Sequence, residues 1–363
     1  RLALLLPRSP SLLLPLSLSL LLCLAVAASA ASAPERPNIV LLMGDDHGWD
    51  ETGYNGHPYL KTPVLDDMAR TGLRLDRFYS GGASCSPTRA TVMTGRHHHR
   101  SGTFAPGWST RPKEITVAQL MRDAGYATAH FGKWHLGPVK SSSPTNPGAM
   151  GFDTWLSHDN FFELDPSFSR NGGPPQVIKG ESSEIIIAEA IRFMDTARRA
   201  GKPFFIVVWF GSPHEPYQAL PQDLALYDNL PATFGNRQVK LTSNETGRNT
   251  TRLQRDVLRE RFAEITAMDR SIGQLRDHLG STGLRANTLL WTSIVKTIKN
   301  RTANSYCATV GMDISTEEFQ SLPTRAYLVK GKKVLVPSNA VPRDDGSLEF
   351  IGSFDGSLGE AVW

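Results

Sequence analysis

Residues that could do chemistry follow three short apolar runs of this sequence. Asp45 and Asp46 are adjacent carboxylates after the first run, and such oxygen ligands suit Ca²⁺ or Mg²⁺. Lys133 and His135 follow the second run two residues apart, so an extended segment would project both to one side. His214 follows the third. An isolated acidic pair is more often a solvated turn, and a lone histidine is more often structural. These residues therefore indicate a functional site only if another motif in the sequence points to the same chemistry.

The run that begins at Cys85 is such a motif. Cys85 opens the run Cys85-Ser86-Pro87-Thr88-Arg89, and Thr94-Gly95 follows five to six residues after Arg89. On residue type alone, a single cysteine is usually a small buried apolar residue. Pro87 suits the first turn of a helix, which would place Arg89 one turn from Cys85.

The apolar runs predict the elements that position these residues. Residues 38–43 and 204–210 are continuous apolar runs typical of buried parallel strands, and residues 128–131 and 288–291 predict two more. Helices are predicted within residues 60–72, beginning near Pro63 and stopping at Gly72, and over residues 115–124, 183–200 with Ser183 as N-cap, and 253–279. This alternation is typical of a mainly parallel sheet covered on both faces, with ligands bound at the carboxyl ends of the strands.

The histidine run His97-His98-His99 looks like a metal cluster. Three consecutive residues cannot share one helical face. We therefore predict loop residues, at most one of which touches a site.

The motifs, taken in order, resemble those of the type I, formylglycine-dependent sulfatases of the arylsulfatase type over residues 36–293. Besides the cysteine run, they are Gly132-Lys133-Trp134-His135-Leu136-Gly137 and Ser212-Pro213-His214-Glu215-Pro216. The resemblance implies an alkaline-phosphatase-like α/β/α sandwich. A phosphate-ester hydrolase of the same superfamily would use Ser or Thr and two zinc ions, and Cys85 in its Pro-Arg context argues against it.

The resemblance also implies roles. A formylglycine-generating enzyme would oxidise Cys85 to an aldehyde whose hydrate attacks sulfur, releases the alcohol, and then expels sulfate by reforming the aldehyde. The implied assignments are Cys85, Arg89 and His135 as catalytic residues, Lys133 and His214 as substrate-binding residues, and Asp45, Asp46 and Cys85 as ligands of Ca²⁺ or Mg²⁺. The partner would be a sulfate-ester small molecule or a sulfated glycan.

The pattern breaks after Ser293. The family continues with Asp-Asn-Gly, which supplies two further calcium ligands, whereas this chain reads Ile294-Val295-Lys296. With half of its protein ligands missing, the ion is expected to bind poorly. We predict a catalytic part over residues 34–293 and a divergent tail over 294–363 without a complete C-terminal sheet domain. The alternative function is a catalytically inactive sulfatase-like protein.

The composition and the N-terminal segment limit the number of domains, the class of partner and the cellular location that we expect. The 363 residues, 40% hydrophobic and 20% charged, suit one large α/β domain or two ordinary ones. With 39 Lys and Arg against 35 Asp and Glu and no basic aromatic patch, we expect no nucleic-acid partner. Residues 1–33 resemble a signal peptide, because an apolar run ends in small-residue patterns.

The expected product is an exported protein without stable membrane insertion, secreted, lysosomal or periplasmic. Sequons at Asn244, Asn249 and Asn300 are compatible with a glycoprotein. Cys85 and Cys307 are the only cysteines after residue 33, so disulfides are not expected to frame the fold.

Overall fold

A nine-stranded sheet with helices on both faces forms the body of the protein. The computed structural model describes residues 36–294 except 76–77, 83, 161–163, 233–236 and 243–248, and beyond them the backbone of five short strands. The chain divides into two units, Arg1–Arg36 and Pro37–Trp363, and the strands and helices given below belong to the second. The predicted signal peptide, Asn244, Asn300, Cys307, Val295 and Lys296 lie outside the described residues.

The strands pair in the order β2-β11-β10-β1-β7-β3-β4-β5-β6. Neighbours from β10 to β4 in this order are parallel, and the outer pairs are antiparallel. The bounds are β1 Asn38–Gly44, β2 Leu73–Arg74, β3 Ala127–Lys133, β4 Thr154–His158, β5 Ser167–Arg170, β6 Gln176–Val177, β7 Phe204–Trp209, β8 Gln238–Thr242, β9 Asn249–Leu253, β10 Thr288–Ile294, β11 Val310–Met312, β12 Ala326–Val329, β13 Lys332–Leu335, β14 Ala340–Pro342 and β15 Leu348–Phe350. The pairs β8–β9, β12–β13 and β14–β15 form separate hairpins. In the second of these hairpins, Ala326 pairs with Leu335 and Val329 with Lys332.

The described helices fill the connections between parallel strands. Their bounds are α1 Pro63–Thr71, α2 Cys85–Thr94, α3 His98–Ser101, α4 Val117–Asp123, α5 Ser182–Arg199, α6 Pro221–Ala225 and α7 Gln254–Ser281, with 3₁₀ turns at Gly53–Asn55 and Arg285–Asn287. None of these helices has the length and apolar character that a bilayer-spanning segment needs.

Alternate residues of the central strands build two cores. In β7, Phe204, Ile206 and Val208 join a cluster with α5 and α7, whereas Phe205 and Val207 join a second cluster with α2 and α4. Successive side chains of a strand point to opposite faces, so a continuous apolar run requires cover on both. The predicted mainly parallel sheet covered on both faces is confirmed.

One predicted helix start was wrong. The helix expected to be capped by Ser183 begins at Ser182, and its N-cap is Glu181. The Glu181 carboxylate accepts a hydrogen bond from the backbone N–H of Glu184 at 2.9 Å. A carboxylate can cap the first turn as a hydroxyl does and also complements the helix dipole.

Candidate active site

Four neighbouring strands deliver their following residues to one edge of the sheet. In the order β10-β1-β7-β3, the chain leaves the carboxyl ends at Ile294, at Asp45, in the loop before His214 and at Lys133. The backbone N–H of Asp45 donates to the carbonyl of Ser212 at 3.0 Å, which joins the loops after β1 and β7. The sequence prediction of one shared polar edge is therefore confirmed.

Cys85 is the first residue of α2 and reaches the same edge. Ligand atoms of Cys85, Asp45 and His214 all lie within 4.8 Å of one another. The first turn of a helix has backbone N–H groups without intrahelical partners and a positive dipole end. An anion at the Cys85 side chain would therefore meet a favourable field.

The buried Asp45 is held between two cations. Its Oδ1 accepts from Nη2 of Arg89 at 3.0 Å, and its Oδ2 is paired with Nζ of Lys133. Arg89 also donates from Nη1 to the Lys133 carbonyl at 3.2 Å. Burial opposes ionisation of Asp45, but Lys133 and Arg89 outweigh burial and hold the pKa of the carboxyl well below its usual range. The guanidinium fork thus ties α2 to the ends of β1 and β3.

Asp46 faces His214 rather than an arginine or lysine head group. Nε2 of His214 lies 3.5 Å from Oδ2 of Asp46, while its Nδ1 donates to the carbonyl of Glu215 at 2.6 Å. Burial, together with the neighbouring charge of Asp45, raises the pKa of Asp46. Two close carboxylates of which one is poorly neutralised form a place where a cation is favoured.

Cys85 is a thiol that does not ionise readily. Burial, followed by the charge of Asp45, raises its pKa to about 11. The thiolate is the nucleophilic form of cysteine, so an unmodified Cys85 is a weak nucleophile near neutral pH.

His135 reaches the site by a route that the sequence did not indicate. Lys133 is the last residue of β3, and His135 has a left-handed backbone with φ 52°. The prediction that an extended segment projects both side chains to one side was therefore wrong. The backbone N–H of His135 donates to the carbonyl of Asp159 at 2.8 Å, which fixes this turn beyond the end of β4.

The His135 ring is neutral and has capacity for a further hydrogen bond. Burial, then the charges of Lys133 and Arg89, lower its pKa to about 3. Its Nδ1 is buried and has no hydrogen-bond partner among the described residues. A buried ring nitrogen without a partner costs free energy unless a bound group satisfies it.

The three consecutive histidines cluster by ring stacking. His97 and His98 stack at 4.2 Å between ring centroids, and ring nitrogens of all three lie within 4.8 Å of one another. His98 and His99 belong to α3, so the prediction of loop residues was wrong for these two. Flexible side-chain torsions bring neighbouring rings together without a shared helical face. His98 donates from Nδ1 to the carbonyl of Gly81 at 2.7 Å.

Sequence reasoning missed a partly buried arginine that braces two site loops. Arg261 of α7 donates from Nη2 to the carbonyl of Asp46 and from Nη1 to the carbonyl of Pro213, each at 2.6 Å. It also forms a two-point ion pair with Glu51 and donates to the Tyr217 hydroxyl at 3.1 Å. Burial opposes the Glu51 charge, but Arg261 outweighs burial and lowers the pKa of Glu51 to about 2.

The apolar spacing of the predicted helix over residues 253–279 could have indicated Arg261. It lies three residues after Leu258 and four before Ile265, both predicted to face inward. A charged residue on the apolar stripe of a helix needs a buried partner.

Comparison with known proteins explains this constellation. A family model described as "Sulfatase" matches residues 37–292. The chain belongs to the sulfatase family. It is 30% identical over 263 residues to an ulvan-active sulfatase of Formosa agariphila, covering 71% of this chain and 50% of the relative. It is 28% identical over 306 residues to N-acetylgalactosamine-6-sulfatase of Mus musculus, covering 74% and 51%. The chain thus spans about half the length of these curated relatives.

The fold is that of solved sulfatase-family structures. A protein solved with its substrate D-glucosamine-2-N,6-O-disulfate superposes with a TM-score of 0.63 at 24% identity, covering 77% of this chain and 71% of that chain. The alkaline-phosphatase-like α/β/α sandwich expected from the motifs is confirmed.

The residues present fit half of a sulfatase metal site. Asp45 and Asp46 offer two close carboxylates, which are ligands that Ca²⁺ and Mg²⁺ prefer. β10 lies parallel to β1 with Ile294 in register with Gly44, the residue before Asp45. Position 294, where the family pattern begins Asp-Asn-Gly, is therefore beside the edge that carries Asp45 and Asp46, and it is isoleucine in this chain.

We predict that Arg261→Met lowers the free energy of unfolding by about 3 kcal/mol, because the partly buried Glu51 would lose its cationic partner and keep only the hydrogen bond from the Gly48 N–H. Urea denaturation measures the change. The matched control is Arg259→Met on the same helix, whose pair with Asp228 is more exposed and should contribute less than about 1 kcal/mol. Arg261→Met combined with Glu51→Gln should be less destabilised than the sum of the single variants. An Arg261→Met protein as stable as Arg259→Met would contradict the bracing role.

Acid should weaken this brace in a defined range. The pKa of Glu51 falls from 4.5 to about 2 on folding, so its stabilising contribution is complete above the unfolded value and is lost as pH falls towards the folded value. Urea denaturation from neutral pH down through this range should show a shallower loss of stability for Glu51→Gln than for the wild type. Equal slopes would show that Glu51 does not bind its proton differently in the two states.

Proposed function

We propose that this chain is built to hydrolyse a sulfate ester at Cys85 through a formylglycine side chain. The observation that carries the proposal is the convergence of Cys85, Asp45 and His214 within 4.8 Å at a helix N-terminus, beside the cations Arg89 and Lys133. Sulfate transfer needs a nucleophile at sulfur, positive charge near the sulfate oxygens and a proton for the leaving alcohol. The site contains a candidate for each.

Modification of Cys85 supplies what its thiol lacks. A thiol with a pKa of about 11 is mostly protonated at neutral pH. The hydrate of a formylglycine aldehyde supplies one hydroxyl to attack sulfur and a second whose ionisation releases sulfate. A sulfate ester on an ordinary side chain would instead need a second attack at sulfur.

The surrounding side chains bind, orient and move protons. Lys133 and Arg89, with the N-terminus of α2, would offset the negative charge of the sulfate oxygens. His135 is neutral, and its unpartnered Nδ1 can exchange a hydrogen bond with a group at Cys85. His214 has Nδ1 fixed on the Glu215 carbonyl, which directs Nε2 towards Asp46 and the substrate side. We assign His214 to the sulfate and leaving oxygen.

Asp45, Asp46 and the modified Cys85 would hold Ca²⁺ or Mg²⁺. When bound, such an ion supplies charge stabilisation for the sulfate and for the modified side chain. The family pattern adds two ligands after β10, and this chain has Ile294 and Val295 there. We propose that weak metal binding limits the activity of this chain.

The names of the relatives favour a sulfated carbohydrate as substrate. The first is an ulvan-active sulfatase and the second an N-acetylgalactosamine-6-sulfatase. We further propose that a formylglycine-generating enzyme acts on the Cys85 motif during export, before the site closes around Asp45. The mature protein would be secreted, lysosomal or periplasmic.

We predict that protein from its native source, or coexpressed with a formylglycine-generating enzyme, carries an aldehyde in place of the Cys85 thiol. Peptide mass spectrometry should show the mass loss expected when CH₂–SH becomes CHO. The peptide with Cys307 is the internal control, because it lacks the Pro-Arg context and should keep its thiol. An unmodified Cys85 in native-source protein would contradict the enzymatic proposal.

We predict that Ile294→Asp combined with Val295→Asn raises Ca²⁺ affinity at least about tenfold, because ligand number and charge set affinity for this hard cation. Isothermal titration calorimetry measures the affinity independently of catalysis. Release of sulfate from a small aryl sulfate by the matured protein should rise in parallel. Ile294→Leu, which keeps the position apolar, is the matched control and should change neither.

Two outcomes would separate the components of this proposal. Tight stoichiometric Ca²⁺ binding by the wild type would show that positions 294 and 295 are not limiting. Ca²⁺ binding by the matured double variant without any sulfate release would overturn the assignment of sulfate-ester hydrolysis.

A further inference from the structure

A loop beside the site, residues 103–110, is anchored at its base and displays aromatic rings. We name it the rim loop. Buried Thr103 and Thr110 approach each other at 3.5 Å between their hydroxyl oxygens, and the backbone N–H of Trp108 donates to the carbonyl of Ala105 at 3.2 Å. These contacts hold the loop in a compact turn.

The rim loop touches both runs that carry the candidate catalytic residues. The backbone N–H of Gly107 donates to Oγ of Ser86, the neighbour of Cys85, at 2.9 Å. A Cβ on Gly107, which has φ 79°, would lie 4.0 Å from Nε2 of His135. The backbone N–H of Thr110 donates to the carbonyl of Leu136 at 3.1 Å. The residues next to Gly107 therefore border the site.

Two of the loop's side chains are large, apolar and exposed. Phe104 is 49% exposed and Trp108 is 52% exposed, and their rings meet edge to face at 5.4 Å between centroids. The His99 ring lies 5.8 Å from Phe104. Aromatic pairs held in water on an anchored loop are typical of binding surfaces rather than of folding cores.

The rim loop also lies in a strongly basic segment. Between residues 86 and 113 the sequence has Arg89, Arg96, Arg100, Arg111 and Lys113 and no Asp or Glu. The exposed Arg111 packs on the turn at Gly102, where an added Cβ would collide with its Nε, and it donates to the Arg100 carbonyl at 3.5 Å. Arg89 and Arg96 are paired with Asp45 and Glu114, and the exposed Arg111 adds positive charge at the base of the rim loop, which suits a polyanionic ligand.

We infer that the rim loop is a carbohydrate subsite, in which Phe104 and Trp108 stack on a sugar ring of a sulfated glycan whose sulfate ester enters at Cys85. This inference rests on the proposed function. The electron-rich face of an aromatic ring attracts the C–H face of a pyranose, and the nearby cations attract further sulfate groups. A lipid or steroid leaving group would instead favour an apolar surround without this charge.

The test uses the full chain with Cys85→Ala, so that ligand is bound without turnover. The probe is a chondroitin 6-sulfate hexasaccharide, and calorimetry compares it with the same hexasaccharide after chemical desulfation. Adding Trp108→Ala or Phe104→Ala should weaken binding of the sulfated probe about tenfold, or about 1.4 kcal/mol. Trp108→Phe should retain most of the affinity, because it keeps a stacking face. The desulfated probe should bind more weakly to every protein.

Leu120→Ala on α4 is the matched control, because Leu120 is 58% exposed and its loss should leave affinity unchanged. Matured Leu120→Ala should also release sulfate from a small aryl sulfate as fast as the matured wild type, because Leu120 lies on α4 outside the rim loop. Unchanged affinity in both alanine variants, or equal binding of both probes, would overturn the subsite. Failure of the matured, Ca²⁺-bound Ile294→Asp, Val295→Asn variant on the aryl sulfate would instead overturn the proposed function, whatever the binding result.

Discussion

A buried carboxylate that two other parts of the chain neutralise underlies the whole site. Asp45 comes from the end of β1, Lys133 from the end of β3 and Arg89 from α2. A buried ion pair is stable only when its geometry is good and its remaining polar groups are satisfied. The Arg89 fork meets this condition by also donating to the Lys133 carbonyl. The requirement fixes α2 against the strand ends and thereby places Cys85, one turn before Arg89, at the sheet edge.

The same edge receives the carboxyl ends of two neighbouring parallel strands. β1 and β10 are parallel neighbours, and their register sets Ile294 beside Gly44. The residue after Gly44 and the residue at position 294 therefore lie at the same edge of the sheet. In this chain one strand supplies two carboxylates and the other supplies an apolar residue. Burial, together with the neighbouring charge of Asp45, raises the pKa of Asp46 at this edge.

The sequence predicted the layers and the convergence well because both follow from simple patterns. Apolar strands such as residues 204–209 needed cover on two faces, and polar residues after parallel strands had to meet at one edge. The predictions from sequence were wrong where a single side chain or backbone torsion decides the local structure. The left-handed His135 depends on a hydrogen bond to the Asp159 carbonyl, and the Glu181 cap replaced Ser183. Arg261 was missed because its partners, Glu51 and two loop carbonyls, are distant in sequence.

Two neighbouring residues of helix α2 contact different parts of the site. Cys85 faces the carboxylates, while the next residue, Ser86, is fully buried and accepts the hydrogen bond that anchors Gly107. Any shift of α2 that moved Cys85 would also move the rim loop. Because the loop adjoins His135 as well, the exposed rings keep a constant position relative to the groups expected to act on sulfate. A substrate bound on those rings would then present its ester to Cys85 without a separate conformational change.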